Sequence, residues 1–440
     1  MLVPFSAMAT RKKDTRQFAV RPFVCRVGRA MLVGGFLLLA GCYTVPPRGE
    51  ISWIKYAPPP PIAAEMPRPR RNLEVFDWVW STVNAYYYDS SFRGIDWPAA
   101  RARHRAAAEA AVDEDQLYRT INALLGELAD GHTFARSPRT VAELRDRRWV
   151  WIGLEFAALA SSPEKLVVTY VWPGGSASEA GVRRGWILET CNDLGARTYI
   201  QDRRFEVGQK LACAFRDEHD QPHQLELVAR PVEHPSVRAV RVLAGDCVYL
   251  RFDEFKYATT QWLYEQLQAH QGTRAVILDE RYNTGGDVAY LEYVAGLFLP
   301  RGQELGVFTK RGQPSETVNS RRPLFAPRFR GDVAIIVSTS SASAAEIFAD
   351  AMQHFRRAVI VGQATAGRVL NAYQVALPDG GELSFSVRDF FTSDGRRLEG
   401  IGVAPDAVIE YQLAGVRAGQ DPGVEAALRA LRPSVFGTSR

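Results

Sequence analysis

The sequence predicts a mixed α/β protein: a helical N-terminal region ahead of a larger core of alternating strands and helices. Three observations carry this. Asp332-Val-Ala-Ile-Ile-Val337 is a run of apolar and β-branched residues, and it leads through small residues into apolar positions at helical spacing, Ile347, Ala351, His354 and Phe355. Arg274-Ala-Val-Ile-Leu-Asp279 is a second apolar strand, followed by paired glycines and a helical pattern from Ala289 to Leu299. Phe76, Val79, Trp80, Val83 and Tyr87 mark one apolar helix face further upstream.

From the N-terminus, residues 1–41 carry seven basic side chains against one acid, Asp14. Ala30 to Ala40 is an apolar run too short to cross a bilayer comfortably, with arginines on its N-terminal side. It ends in Leu39-Ala40-Gly41-Cys42, which resembles the lipobox of bacterial lipoprotein signal peptides. The resemblance implies a signal peptide over 1–41, lipid on Cys42 and stable attachment to a membrane through acyl chains. Tyr43 stands where aspartate would mark inner-membrane retention in enteric bacteria, so an outer-membrane lipoprotein facing the periplasm is expected. A short uncleaved anchor is the alternative. The whole chain has 54 Lys and Arg against 49 Asp and Glu; without the leader these become 47 and 48, a balance that excludes nucleic-acid binding on charge grounds.

Residues 42–71 are proline-rich, centred on Ala57-Pro-Pro-Pro-Pro61, and predict an extended tether of about 3 Å per residue. Residues 72–140 read as a helical domain. Asp96-Trp97-Pro98 opens its second helix, and Asp115-Gln-Leu-Tyr its third. Residues 235–412 hold the α/β core, and 413–440 a C-terminal helix, from Pro422 to Leu431, and tail.

The chemistry concentrates where the two core strands end. A serine at a strand-to-helix junction exposes its hydroxyl beside the free N–H groups and positive dipole end of the helix, the setting a nucleophile and an oxyanion both need. A plain polar helix cap is the competing reading of Ser338 to Ser343. Gly285 and Gly286 let backbone approach a ligand and aim N–H groups at an anion. The turn Asp279-Glu-Arg281-Tyr-Asn283-Thr-Gly285-Gly286 and the later Ser341-Ala-Ser343-Ala-Ala-Glu346-Ile together resemble C-terminal processing (tail-specific) and tricorn-type serine peptidases. Glu280 departs from that pattern, where an apolar residue is usual. The resemblance implies Ser343 as nucleophile and the N–H groups of Gly286 and Ala344 as oxyanion hole. It also implies an α/β core of the crotonase-like, ClpP type.

The base departs from the tail-specific branch. Its T-x-G-K lysine is replaced in Thr365-Ala-Gly367-Arg368 by arginine, which stays protonated and offers no lone pair. Of seven histidines, His354 lies eleven residues past Ser343 on the same helix, about 16 Å along its axis. His104, His219, His223, His234 and His270 stand in no motif. His132, in Leu128-Ala-Asp130-Gly131-His132, occupies the place where the tricorn-type branch carries its catalytic histidine, and the resemblance implies it as base. Glu399, in Arg397-Leu-Glu399-Gly-Ile-Gly402-Val-Ala-Pro405-Asp406, matches the glutamate that supports the catalytic apparatus there. Gly131 stands where that branch has a serine, leaving Ser343, His132 and Glu399.

Residues 145–232 resemble a PDZ domain, an inserted β module. Gly153-Leu154-Glu155-Phe156 is similar to its carboxylate-binding loop and implies capture of peptide C-termini by strand addition. A purely scaffolding role is the alternative. Trp186 replaces the aspartate usual in the module's turn. Three cysteines remain beyond Cys42, and a Cys191–Cys213 bridge would leave Cys247 on a buried strand. No C-x-x-C or histidine pair suggests a metal, and no cofactor is expected.

The expectation is therefore a lipid-anchored periplasmic serine endopeptidase acting on unfolded or C-terminally exposed polypeptides, with an activator or adaptor left open. Its rivals are a catalytically silent PDZ-containing peptide-binding protein of the same fold and an enzyme using a displaced lysine.

Overall fold

A computed structural model describes residues 59–63, 65–144, 148–192, 194–195, 205–233, 237–322 and 327–435, all within one compact unit, Tyr43–Arg440. The leader 1–41, Cys42, most of the tether and His234 lie outside the described residues.

The core is a six-stranded sheet in the order Arg238–Leu243, Cys247–Phe252, Ala275–Asp279, Asp332–Val337, Val359–Gly362, Ala407–Val408. The first pair is antiparallel and every later pair parallel. Parallel neighbours need crossovers, and the helices Tyr257–Ala269, Val288–Gly296 and Ala344–His354 supply the first three, as the sequence periodicity predicts, while residues 363–406 make the fourth through the strands Asn371–Ala376 and Glu382–Thr392. Strand side chains alternate between faces. Val276, Leu278, Ile335 and Val337 pack with Leu263, Leu291 and Phe348 of the crossover helices. Ala275, Ile277, Ala334 and Ile336 face the other way, onto Val424, Ala427 and Leu431 of the helix Pro422–Val435. That helix is thus a layer of the core, where the sequence suggested a terminal helix and tail.

A five-stranded sheet is built around the long strand Glu382–Thr392. Its first half pairs with Phe134–Arg136 on one side and Asn371–Ala376 on the other, and its second half with Glu304–Lys310, which pairs with Gln313–Asn319. The N-terminal helices Arg68–Tyr86, Trp97–Ala110 and Glu114–Gly126 pack on this sheet, Val79, Ile121 and Leu125 meeting Leu383, Phe385 and Val387. Asp96 and Asp113 cap the second and third helices by accepting from Ala99 N–H and Gln116 N–H. The first helix starts at Arg68, four residues before the predicted boundary, because Pro69 fits a first turn.

The segment similar to a PDZ module folds as an antiparallel sheet in the order Leu154–Leu159, Ser162–Val171, Ile187–Cys191, Lys210–Arg216, Pro222–Val228. A disulfide joins Cys191 to Cys213, register partners on adjacent strands, and Cys247 is free and buried. Trp186 explains its own departure. Its indole N–H donates to Glu218 (2.7 Å) and its ring stacks on His223, so it fills a cluster rather than shaping a polar turn. Gly153 is required by close approach, since a Cβ there would lie 2.9 Å from the Gly175 Cα. Leu154 and Glu155 are buried and Phe156 half-buried, so this loop offers backbone more than side chains. Ala157, Leu159, Val167 and Ile187 share one apolar cluster with the core sheet and the C-terminal helix.

Candidate active site

In an open parallel sheet, ligands collect beyond the carboxyl ends of the strands. Here three neighbouring strands end in the segments the sequence singles out: Asp279 leads to 280–287, Val337 to 338–343 and Gly362 to 363–368.

The first segment is clamped from below. Arg281 donates to Asp279 and to Asp421 of the C-terminal segment, and Tyr249 O–H donates to Asp279 (2.6 Å). Burial opposes ionisation of Asp279, but Arg281 and the Tyr249 hydroxyl outweigh it and hold the carboxyl at about 2. Asn283 then ties two segments together: its Oδ1 accepts Gly285 N–H (2.9 Å), and its carbonyl accepts Ala342 N–H (3.0 Å). Gly285 (φ +101°) and Gly286 (φ +144°) occupy backbone that side chains disfavour. A Cβ on Gly285 would sit 2.6 Å from Ser343 Cβ, which places the glycine turn directly against the serine. Glu280 is fully buried next to Asp279, and burial, with the Asp279 charge adding to it, pushes its carboxyl well above the usual range.

The second segment separates its serines. Ser341 is fully buried, its hydroxyl donating to the Glu280 carbonyl (2.7 Å), and the Ser338 hydroxyl donates to the Arg281 carbonyl (2.5 Å). Both lock the loop to the glycine turn. Ser343 is half-buried at the N-cap of Ala344–His354 with φ 58° and ψ −122°, a strained conformation for a side-chain-bearing residue. Strain of this sort costs about 1–3 kcal/mol and is typical of a nucleophile lifted on a strand-to-helix turn. The surrounding amides are engaged: Gly285 N–H to Asn283, Asp287 N–H to Phe255 carbonyl, Ser343 N–H to Arg368 carbonyl and Ala345 N–H to Ala342 carbonyl. Among the described residues the N–H groups of Gly286 and Ala344 have no such acceptor. Two unengaged donors on either side of a strained serine are what an oxyanion hole requires.

The third segment holds the serine from behind through a residue the sequence reading quoted without a role. Glu346 is fully buried; its Oε1 accepts the Thr365 hydroxyl (2.5 Å) and Gly367 N–H (2.7 Å), and its Oε2 accepts Ser343 N–H (3.0 Å) and Arg368 N–H (2.8 Å). Burial pushes its carboxyl up against these four hydrogen bonds. Its capping-box spacing, three residues after the serine, was the available signal.

His132 arrives from the other sheet. Its carbonyl accepts the Ser384 hydroxyl (2.8 Å), and its backbone N–H donates to Asp130 Oδ1 (2.8 Å). Asp130, also not assigned from sequence, is buried and accepts from Tyr87 and Thr133 hydroxyls; its carboxylate lies 4.0 Å from His132 Nδ1. Gly131 and Arg368 explain each other: a Cβ on Gly131 would lie 3.2 Å from Arg368 Cδ and Nε, so the arginine stem occupies the space a serine would need. The Arg368 carbonyl in turn accepts Ser343 N–H (2.8 Å), so Arg368 touches both the Gly131 turn and the serine. Glu399 Oε2 accepts Val369 N–H (2.8 Å) and Leu370 N–H (3.3 Å), just past Arg368. Other histidines have local partners: His104 with Glu127, His223 with Asp217, and His270 with the Gln266 carbonyl.

Burial, with Asp130 adding to it, pushes the Glu399 carboxyl up to about 7 from the ordinary 4.5. The folded chain therefore keeps a proton that the unfolded chain releases between those values. Stability is full below the lower value and falls as pH rises through the upper one. Wild type is expected to lose on the order of 3 kcal/mol more than Glu399→Gln between about pH 4.5 and 8, read from urea midpoints.

Comparison with known proteins bears on the family and the fold. The peptidase family S41 profile matches residues 246–409, and the tricorn protease C1 domain matches 69–126. The chloroplastic C-terminal processing peptidase of Tetradesmus obliquus is 26% identical over 365 residues, covering 76% of both chains. The carboxyl-terminal-processing protease of a Synechocystis species is 25% identical, covering 76% of this chain and 80% of its own. A probable CtpA-like serine protease of Staphylococcus aureus is 24% identical over 60% of this chain and 53% of its own length. In fold, the photosystem II D1 C-terminal processing protease aligns with a TM-score of 0.56 at 23% identity, over 82% of this chain and 97% of that one. Mature CPAF complexed with lactacystin aligns at 0.62 and 12% identity, over 84% and 99%. Residues 246–409 thus form a peptidase family S41 domain, and the chain is a serine endopeptidase similar to the C-terminal processing proteases.

Proposed function

We propose that the chain is a lipid-anchored periplasmic peptidase that cleaves unfolded or C-terminally exposed polypeptides with a serine nucleophile and a histidine base. The observation that carries the mechanism is the strained Ser343 between the unengaged N–H groups of Gly286 and Ala344. Ser343 Oγ attacks the scissile carbonyl while His132 takes its proton, and the two N–H groups receive the developing oxyanion. His132 returns the proton to the leaving amine, and water then releases the acyl group by the same steps. Asp130 and Glu399 hold the histidine loop and the segment after Arg368. The PDZ-like module would present peptide C-termini through the Gly153–Phe156 loop. The lipid on Cys42 and the periplasmic, outer-membrane placement are supported by the leader pattern alone.

An arginine cannot be the base, so Arg368→Gln is expected to keep hydrolysis within about tenfold of wild type. The rate should rise with pH through the imidazole range, roughly 6 to 7, in both. Cleavage of an unstructured protein, followed by mass spectrometry across pH, checks this. Loss of all activity in Arg368→Gln, or a rise only above about pH 9 as for a lysine base, would rule the histidine mechanism out.

A further inference from the structure

The core sheet has a second end. At the N-terminal ends of its parallel strands stand Arg274, next to Ala275; Arg322, Arg328 and Arg330, in the approach to Asp332; and Arg356 and Arg357, ahead of Val359. The structure fixes them to one face. Asp332 N–H donates to the Arg274 carbonyl (2.9 Å), and Phe329 N–H to the Leu297 carbonyl (2.9 Å). The Arg357 guanidinium donates to the carbonyls of Phe298 (3.1 Å), Phe329 (2.8 Å) and Gly331 (2.9 Å). Phe329 is buried, and the flanking Arg328 and Arg330 are left half-buried and exposed respectively.

With Arg321 counted, seven arginines stand at these strand ends against the acids Asp246, Glu292, Asp332 and Asp406. Among the described residues Arg322, Arg328, Arg330 and Arg356 form no ion pair, the neighbouring Glu292 is engaged by Arg321 (2.7 Å), and Asp332 is the acid acting on Arg357. Partial burial, with Arg330 and Arg322 beside it, pushes the Arg328 guanidinium below its ordinary value. Burial, then Arg328 and Arg330, pushes Arg357 down to about 10. Gathered guanidinium groups that repel one another gain free energy when an anionic surface approaches.

We propose that this arginine face docks the enzyme on an anionic phospholipid surface. A bilayer presents many phosphates in one plane, which several planar guanidinium groups can engage together. The strands between this face and Ser343 are five and six residues long, so the site lies roughly 15–20 Å away, at the opposite end. A docked molecule keeps its site turned from the surface and open to polypeptides. From Cys42 onward the chain is nearly neutral, so the attraction is local to this face. The lipid anchor proposed above would raise the local concentration but is not required.

Every described contact lies after Tyr43, so the chain from Tyr43 onward contains the whole described fold. That form should sediment with phosphatidylcholine vesicles containing about a quarter phosphatidylglycerol, not with pure phosphatidylcholine, and should be released by salt. Combining Arg322→Gln, Arg328→Gln and Arg330→Gln should weaken partition on the order of 100-fold, with cleavage of a soluble substrate unchanged. Arg330→Glu alone, at an exposed position, should weaken it in the same sense. Equal binding to pure phosphatidylcholine, absence of binding to the anionic vesicles, or binding that both variants retain overturns the proposal. Tighter arginine-dependent binding to a DNA duplex than to vesicles also overturns it, and makes a different polyanion the partner.

Discussion

Replacing Ser343 with alanine is expected to lower peptide-bond hydrolysis by about 10⁴-fold or more while leaving the unfolding midpoint unchanged. The hydroxyl is the reacting atom of the mechanism, whereas the loop is held by other groups: Ser341 and Ser338 on the glycine turn, Asn283 on Ala342, and Glu346 on the Ser343 backbone. Alanine keeps all of these, and it keeps the Gly286 and Ala344 donors. Residual activity then measures what oxyanion binding supplies without a nucleophile. His132→Ala should lose a comparable factor, and the double variant no more than either single one, because a serine without its base and a base without its serine fail alike. Mass spectrometry of an unstructured substrate, with thermal unfolding beside it, makes the test. Cleavage that survives His132→Ala but not Ser343→Ala would keep the serine and exclude this histidine. Cleavage absent in wild type as well would favour a peptide-binding protein.

The parts of the site carried by short motifs were legible in the sequence, and the parts carried by tertiary contact were not. Strand Asp332–Val337 and helix Ala344–His354 follow from periodicity, and Gly285 and Gly286 from their spacing after Asp279. Asp130 was invisible because an acid after a helix usually caps or faces solvent. Its burial depends on Tyr87, forty-three residues earlier, and on the sheet that seats Thr133. The helix Pro422–Val435 read as a terminal appendage because its amphipathic pattern does not say which surface it covers. Only the Arg281–Asp421 pair and the face of Ala275, Ile277 and Ile336 reveal it as a core layer. Gly131 and Arg368 read as two separate departures from the family pattern. The 3.2 Å approach between the arginine stem and the absent Cβ makes them one.

Glu346 should prove nearly as critical as the serine, and for a reason that sets it apart from an ordinary helix cap. Its two oxygens receive four donors, from Thr365, Gly367, Ser343 and Arg368, and the Glu346 side chain itself is fully buried. Glu346→Ala strands the Thr365, Gly367 and Arg368 donors at about 1–3 kcal/mol each, partly relieved by collapse, while Ser343 N–H keeps the Arg368 carbonyl, so a stability loss of several kcal/mol is expected. Activity should fall further than stability predicts, by about 10²–10³ in kcat, because the strained Ser343 backbone and the Arg368 carbonyl it meets lose their common anchor. Glu346→Gln is the sharper test. An amide presents one oxygen and one NH₂, and whichever way it turns, its N–H groups meet donors rather than acceptors. Gln should therefore behave closer to Ala than to Glu, with kcat reduced and KM for a short peptide little changed. A Gln variant with wild-type kcat would mean that burial already keeps this carboxyl protonated. The Ser343 loop would then be held by Asn283 and the glycine turn alone.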